Sequence, residues 1–146
     1  MDAVEWSAFA DANGTLALHV QKRLGNGIAY FATVRADGWP RVHPLGVMFR
    51  DGKCVVVMNP NSPKGHDLRR NGHYAVHCTV EDGTGGGGEV LLLGVAVPTD
   101  PTESDVERGW IAFELLVGEV LATTYDAVQQ CPVSERWRPI AGEKVG

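Results

Sequence analysis

The chain has 146 residues, a mass of 15.7 kDa and a globular composition with 44% hydrophobic and 21% charged residues, which excludes an intrinsically disordered chain. Its formal net charge of -5 argues against general binding to nucleic acids or anionic membranes. Cys54, Cys78 and Cys131 contain no Cys-x-x-Cys pair, so neither a disulfide framework nor a structural zinc site is expected. The acidic N-terminus and the short apolar run Val90–Val97 predict a soluble, cytoplasmic protein.

The first 27 residues predict a helical segment. A short helix is expected around residues 4–9, ending near Asn13-Gly14. From Thr15 to Leu24 the apolar residues follow helical spacing, with Gln21-Lys22-Arg23 on the polar side. Gly25-Asn26-Gly27 then ends the second helix, because glycine and asparagine tolerate left-handed backbone angles.

From Ile28 onwards the pattern becomes that of β-strands. Residues 28–35 predict a first strand, residues 36–38 a hairpin turn, and Arg41–Phe49 a single return strand. A second turn at Asp51-Gly52 leads into a third strand, Lys53–Met58. Two Asp-Gly turns between apolar runs therefore predict an antiparallel meander of three strands.

The second half of the chain predicts more strands and two short helices. Ser62 as N-cap and Pro63 as first helical residue indicate a helix that runs to Arg70. Further strands are expected over 73–80, 89–97, 110–124 and 134–140, with a glycine-rich loop over 82–88 and an acidic helix over 103–108, capped by Asp100 or Thr102. About six strands joined by short turns predict a mainly β fold, a closed or nearly closed antiparallel barrel. Crossover helices are missing, which excludes a Rossmann sheet.

One group of residues has the chemistry of a phosphate site. Ser62 and Lys64 stand at the predicted start of a helix, and Arg41 lies on an earlier strand. A hydroxyl, a backbone N–H at a helix start and basic side chains are the donors that bind a dianionic phosphate. Spacing alone slightly favours a simpler interpretation, in which Ser62 only caps the helix and Lys64 is solvated. Both interpretations stay open at this point.

The order of three motifs bears on the choice between these two interpretations of Ser62 and Lys64. Asp-Gly-x-Pro-Arg-Val spans residues 37–42, Ser-x-Lys spans 62–64, and Leu68-Arg69-Arg70 follows within the same predicted helix. From about Ile28 to Val80 this order resembles the pyridoxamine 5′-phosphate oxidase-like family of FMN-binding split barrels, and residues 135–139 resemble an ending of small bacterial members. The resemblance implies a six-stranded split β-barrel. One FMN-binding domain would span residues 1–146, with a helical segment over 1–27 and the barrel over 28–140.

The resemblance also implies a homodimer with non-covalently bound FMN at the subunit interface, and no partner nucleic acid or membrane. Arg41 and Lys64 would contact the FMN phosphate, with Ser62 adding its hydroxyl. The other implied cofactor-binding residues are Val42, His43 and Pro44 along the ring and ribityl chain, Val57, Met58 and Asn59 beside the ring, and Arg136, Trp137 and Arg138 from the C-terminal strand. His43 is equally compatible with a half-buried histidine of the barrel.

The implied activity is that of an FMN-dependent oxidoreductase acting on an unknown small molecule. No residue pattern indicates an acid–base group, so the sequence assigns no catalytic residue. A deazaflavin-dependent reductase on the same fold and a non-catalytic flavin- or ligand-binding module are the alternatives. Pro63 stands where the full-length oxidases have an arginine, so oxidation of pyridoxamine phosphate itself is not expected.

Overall fold

The computed structural model describes residues 2–80, 87–125 and 132–140, so most of the predicted loop over 82–88 lies outside the described residues. The helices are α1 (Trp6–Ala12), α2 (Gly14–Leu24), α3 (Pro63–Arg70) and α4 (Glu103–Glu107). The strands are β1 (Ile28–Val34), β2 (Pro40–Gly46), β3 (Met48–Arg50), β4 (Lys53–Met58), β5 (His73–Cys78), β6 (Glu89–Thr99), β7 (Ile111–Tyr125) and β8 (Pro132–Trp137). Within these described residues, no helix has the length and apolar character needed to cross a membrane.

The strands form one curled antiparallel sheet, which confirms the mainly β fold class. Their order is β2-β1-β5-β6-β7-β4-β3, with β8 also paired to β7. β2 and β3 lie at opposite ends of this order, yet only the buried Val47 separates them in the chain. Each residue spans at most about 3.6 Å, so the two ends of the sheet must come together at Val47. The sheet therefore curls into a barrel.

The structure corrects the number of strands and the expected return strand. The described residues contain eight strands rather than about six, and the single strand expected over Arg41–Phe49 is divided into β2 and β3. β2 pairs with β1, whereas β3 pairs with β4, so the chain forms two separate hairpins instead of a continuous meander. Alternation of side chains reports which face is buried but not which strand is the partner, and here it continues across Val47.

β7 is the longest strand, and its two edges are covered by different elements. β6 pairs along one edge, from Ala112 to Thr123. On the other edge β4 pairs with residues 111–114, Val4 forms an isolated bridge with Val117, and β8 pairs with residues 120–125. These three partners satisfy backbone groups that would otherwise be buried and unpaired, because most side chains of β7 are buried.

The core fills the barrel and the face that α1 and α2 cover. Trp6 of α1 packs against Phe9, with ring centroids 5.2 Å apart, and against Phe49 of β3 at 4.7 Å. The largest fully buried side chains come from both the helices and the sheet: Phe9, Phe31, Phe113, Leu24, Leu92 and Leu115. The predicted N-terminal helices are thus confirmed and belong to the same core as the strands.

A buried tyrosine donates a hydrogen bond to the backbone at a β-bulge between β6 and β7. The register shifts at Leu93/Gly94, and a side chain at Gly94 would collide with the carbonyl oxygen of Leu116. The Tyr74 hydroxyl donates a hydrogen bond to that oxygen at 2.8 Å, and its ring stacks on Phe31 at 5.6 Å. Burial raises the pKa of Tyr74, so the phenol remains a neutral donor.

We expect Tyr74→Phe to lower the free energy of unfolding by about 1–2 kcal/mol, because the Leu116 carbonyl loses its donor in a buried place. Chemical denaturation of both proteins measures the difference. Thr124→Val is the matched control, since Thr124 on β7 is exposed and the substitution also removes one hydroxyl. Equal stability of Tyr74→Phe and the wild-type protein would contradict the role given to this hydrogen bond.

Candidate functional site

The start of helix α3 leaves hydrogen-bond donors available. Ser62 is the N-cap, as predicted, and its Oγ accepts a hydrogen bond from the Gly65 amide at 3.2 Å. The Ser62 hydroxyl keeps its own proton for another acceptor. Pro63 has no N–H, and the amide of Lys64 has no partner within the described residues. A hydroxyl and a free amide at a helix N-terminus favour an anionic ligand.

The end of β4 packs directly beneath this helix start. A Cβ atom at Gly65 would lie 3.0 Å from Ser62 Oγ and 3.4 Å from Met58 Sδ, so glycine permits the close approach. The Ser62 amide donates to the Asn59 carbonyl at 3.0 Å, and the Asn61 amide donates to Asn59 Oδ1 at 2.8 Å. Met58 and Asn59 therefore fix the position of the helix start relative to the barrel.

β2 divides its predicted site residues between two faces. Arg41 and His43 are half-buried, whereas Val42 is 62% exposed and Pro44 is exposed on the opposite face. Arg41 faces helix α3, because its Nε donates to Asp67 at 2.7 Å. Arg41 and His43 can thus belong to one site, while the side chains of Val42 and Pro44 face away from it. Val57 and Met58 divide between the two faces of β4 in the same manner.

The positive charges of Lys64 and Arg41 both act on the imidazole of His43. The pKa of His43 is lowered, mainly by burial and further by the positive charges of Lys64 and Arg41, while Asp67 opposes the shift. Three of the predicted residues, from β2 and α3, therefore share one region of positive charge. With Ser62 at the helix start, this region is the candidate phosphate site.

Asp67 is a site residue that the sequence analysis missed. It is only 3% exposed, and its carboxylate accepts hydrogen bonds from Thr33 Oγ1 and Arg41 Nε, each at 2.7 Å, and from Arg70 at 3.2 Å. Burial alone would raise the pKa of Asp67, but these hydrogen bonds outweigh it and hold the pKa below the usual 3.8. One signal could have revealed it, because Asp67 is the only acidic residue between Lys64 and Arg70.

A cavity of about 410 Å³ lies beside this cluster. One face of α3 and the turn between β1 and β2 form its walls. Arg41 and Pro63 line the cavity, whereas Ser62 and Lys64 do not. The lining residues are Arg35, Ala36, Asp37, Arg41, Pro63, His66, Asp67 and Arg70.

The predicted residues of the C-terminal segment lie elsewhere in the chain. Arg138 Nε donates to the buried Glu119 at 2.5 Å, Arg136 forms an ion pair with the same carboxylate at 3.4 Å, and Trp137 packs on Phe9 at 4.8 Å. None of these contacts, within the described part of the chain, involves Arg41, Ser62 or Lys64. The role of Arg136, Trp137 and Arg138 toward a cofactor stays a prediction.

Comparison with known proteins identifies the family. Residues 19–115, well over half of the chain, match the family model described as pyridoxamine 5′-phosphate oxidase. The chain belongs to this family. The pyridoxamine 5′-phosphate oxidase family commonly binds a flavin, and its members are commonly dimers with small-molecule ligands. The resemblance predicted from the motifs is confirmed, although the curated proteins include none whose sequence matches this chain.

Solved structures share the split-barrel fold of the pyridoxamine 5′-phosphate oxidase family. PhzG from Burkholderia lata 383, solved with tetrahydrophenazine-1-carboxylic acid, has a TM-score of 0.67 and 11% identity, covering 93% of this chain and 88% of its own. A putative pyridoxamine 5′-phosphate oxidase from Listeria innocua has a TM-score of 0.56 and 16% identity, covering 75% and 95%. An F420 reductase has a TM-score of 0.55 and 15% identity, covering 68% and 94%. Identities this low show the fold alone.

We expect Lys64→Ala to raise the pKa of His43, because removing a nearby positive charge favours the protonated imidazole. An NMR titration of the histidine ring measures the change. Lys53→Ala is the matched control, since Lys53 lies on β4 beside Thr99 and Glu114 and should not affect His43. A His43 pKa that is the same in Lys64→Ala and the wild-type protein would place Lys64 outside the site.

Proposed function

We propose that this protein binds FMN and is an FMN-dependent oxidoreductase that acts on a small organic molecule. The proposal rests on Ser62 and Lys64 at the start of α3 and on Arg41, which β2 brings against Asp67 of the same helix. Two of these residues supply positive charge, and the third supplies a hydroxyl next to a free backbone amide. Such a set matches the charge and the hydrogen-bonding capacity of a phosphate monoester.

The donor set fits the phosphate in detail. Arg41 uses its Nε–H for Asp67, which leaves the N–H groups of its two terminal nitrogens for a ligand. The Lys64 side chain forms no hydrogen bond or ion pair with the described residues, so its ammonium group can approach a phosphate as a point charge. Arg41, Ser62 and Lys64 would hold the phosphate. Asn59 and Met58, which pack against the same helix start, would lie beside the flavin ring.

Bound FMN would supply the redox chemistry, by accepting and returning a hydride or single electrons. The residues of the chain would bind the phosphate, orient the ring and leave one ring face open to a substrate. Because the flavin would carry out the redox step, no side chain of the site needs to act as a general acid or base.

A deazaflavin is the second candidate cofactor. The similarity in fold to an F420 reductase favours it, because the same type of barrel serves a deazaflavin there. The absorbance spectrum separates the two cofactors, since bound FMN gives paired bands in the blue and near ultraviolet and a deazaflavin gives a single band. A protein that purifies colourless and does not respond to either cofactor would instead be a non-catalytic ligand-binding module.

The outer face of the β1–β2 hairpin suits a second copy of the chain. Ile28, Tyr30 and Val42 are 53%, 49% and 62% exposed, and Tyr30 pairs directly with the exposed Pro44. Large apolar side chains that cluster on an exposed sheet surface typically mark a protein interface. This face of the hairpin is opposite the one that carries Arg41 and His43, so a homodimer formed through it would place its interface across the sheet from the candidate site.

The test of cofactor binding is a titration of the flavin-free protein with FMN. We expect Lys64→Ala to raise the dissociation constant at least about tenfold, because a charge-assisted hydrogen bond contributes about 1.5–3 kcal/mol. Lys53→Ala, which removes a lysine from a different part of the barrel, should bind like the wild-type protein. Unchanged FMN affinity in Lys64→Ala would contradict the proposed phosphate site, and no FMN binding by the wild-type protein would contradict the proposed function.

The dimer is tested by a charge on the outer face of the hairpin. We expect the wild-type protein to be a dimer and Val42→Glu to be a monomer in light scattering, because a carboxylate buried at an apolar interface is strongly unfavourable. Val106→Glu is the matched control, since Val106 on α4 is equally 62% exposed but lies away from this hairpin. A monomeric wild-type protein would contradict the proposed interface.

A further inference from the structure

Asp67 connects three elements of the candidate site. Its carboxylate accepts hydrogen bonds from Thr33 on β1, Arg41 on β2 and Arg70 on α3 itself. Arg70 also donates to the carbonyl oxygen of Val34 at 2.8 Å, which ties the same helix to β1 a second time. The carboxylate is therefore held from several directions and anchors three elements of the site.

The Asp67 carboxylate determines the orientation of the Arg41 guanidinium group. A free arginine side chain samples many rotamers, and fixing it for a ligand costs conformational entropy. Asp67 Oδ2 contacts the Nε edge at 2.7 Å, so the fork formed by the two terminal nitrogens points away from Asp67. This contact restricts the rotamers of Arg41 in the absence of a ligand.

The local charges agree with this arrangement. Arg70 lies 3.2 Å from Asp67 and offsets its negative charge, so the positive charges of Arg41 and Lys64 remain for the ligand. Two positive charges complement a dianionic phosphate monoester. Because Arg70 offsets the negative charge of Asp67, this charge does not oppose binding of the anion.

We propose that Asp67 is the positioning residue of the phosphate site: it holds Arg41 by Nε so that the terminal nitrogens of Arg41 face the FMN phosphate. The inference rests on the proposed function, because it assigns a ligand to the ordered guanidinium. Asp67 does not touch the ligand itself. It acts on affinity through the position of Arg41, and it discriminates flavins that carry a phosphate from those that lack one.

Two substitutions at this position separate geometry from charge. Asp67→Glu keeps the negative charge but moves the carboxylate by one methylene, so Arg41 loses its anchor. Asp67→Asn removes the charge but keeps an oxygen that can accept from Arg41 Nε and Thr33. We expect Asp67→Glu to bind FMN about three- to tenfold more weakly, since Arg41 must then be ordered during binding. Asp67→Asn should bind at least as well as the wild-type protein.

Riboflavin binding and a second buried ion pair provide the controls. Riboflavin has no phosphate, so its affinity should be equal in all three proteins. Asp105→Glu tests whether lengthening any buried carboxylate side chain weakens FMN binding through a loss of stability. Asp105 on α4 is similarly buried, at 4% exposure, and it forms an ion pair with Arg50 on β3 at 2.6 Å. Asp105→Glu should leave FMN affinity unchanged, even where thermal unfolding shows the same loss of stability as in Asp67→Glu.

The outcomes distinguish the inference from the proposed function. If the wild-type protein binds FMN and Asp67→Glu binds it with the same affinity, the inference is overturned and the proposed function still holds. Equal weakening of FMN and riboflavin binding in Asp67→Glu would also overturn it, because the effect would then be structural. A wild-type protein that binds no FMN would contradict the proposed function, and the positioning role would fall with it. An NMR signal of Arg41 Nε–H that is protected in the ligand-free wild-type protein and lost in Asp67→Glu supports the ordered guanidinium directly.

Discussion

The buried carboxylate of Asp67 is the constraint on which the candidate site depends. It attaches α3 to the β1–β2 hairpin through Thr33 and Arg41, beside the second attachment that Arg70 forms with the Val34 carbonyl. Because the folded pKa of Asp67 lies below the usual 3.8, these interactions stabilise the folded protein above that pH. Their contribution is lost as the pH falls through the folded pKa, when the carboxylate becomes protonated.

The barrel explains why this attachment is possible. Only Val47 separates β2 from β3, so the first and last strands of the sheet order are held together by the chain itself. The turn from β4 into α3 then places the helix start over the barrel, where Ser62, Gly65 and Met58 pack closely. A flavin-binding family can use such a place because its donors come from both a strand and a helix, each fixed by the same core.

Local chemistry made much of the fold predictable, and long-range partners made the rest unpredictable. Ser62 and Pro63 define the start of α3 by themselves, and the Asp51-Gly52 turn has positive φ angles of 52° and 73°, as an Asp-Gly hairpin requires. The division at Val47 was missed because the partner of each half lies in another part of the chain. Asp67 was missed because Arg41 and Thr33 are 26 and 34 residues away. Arg41 and Lys64 are predicted as phosphate ligands from the motifs rather than from their spacing, and this assignment stays a prediction.

The most direct test of the phosphate site is a crystal structure of the protein grown with FMN. The account predicts electron density for the phosphate within hydrogen-bonding distance of the Arg41 terminal nitrogens, the Ser62 hydroxyl and the Lys64 ammonium group, with Arg41 Nε still on Asp67. Phosphate density at any other part of the surface, or a flavin held with its phosphate in solvent, would contradict it.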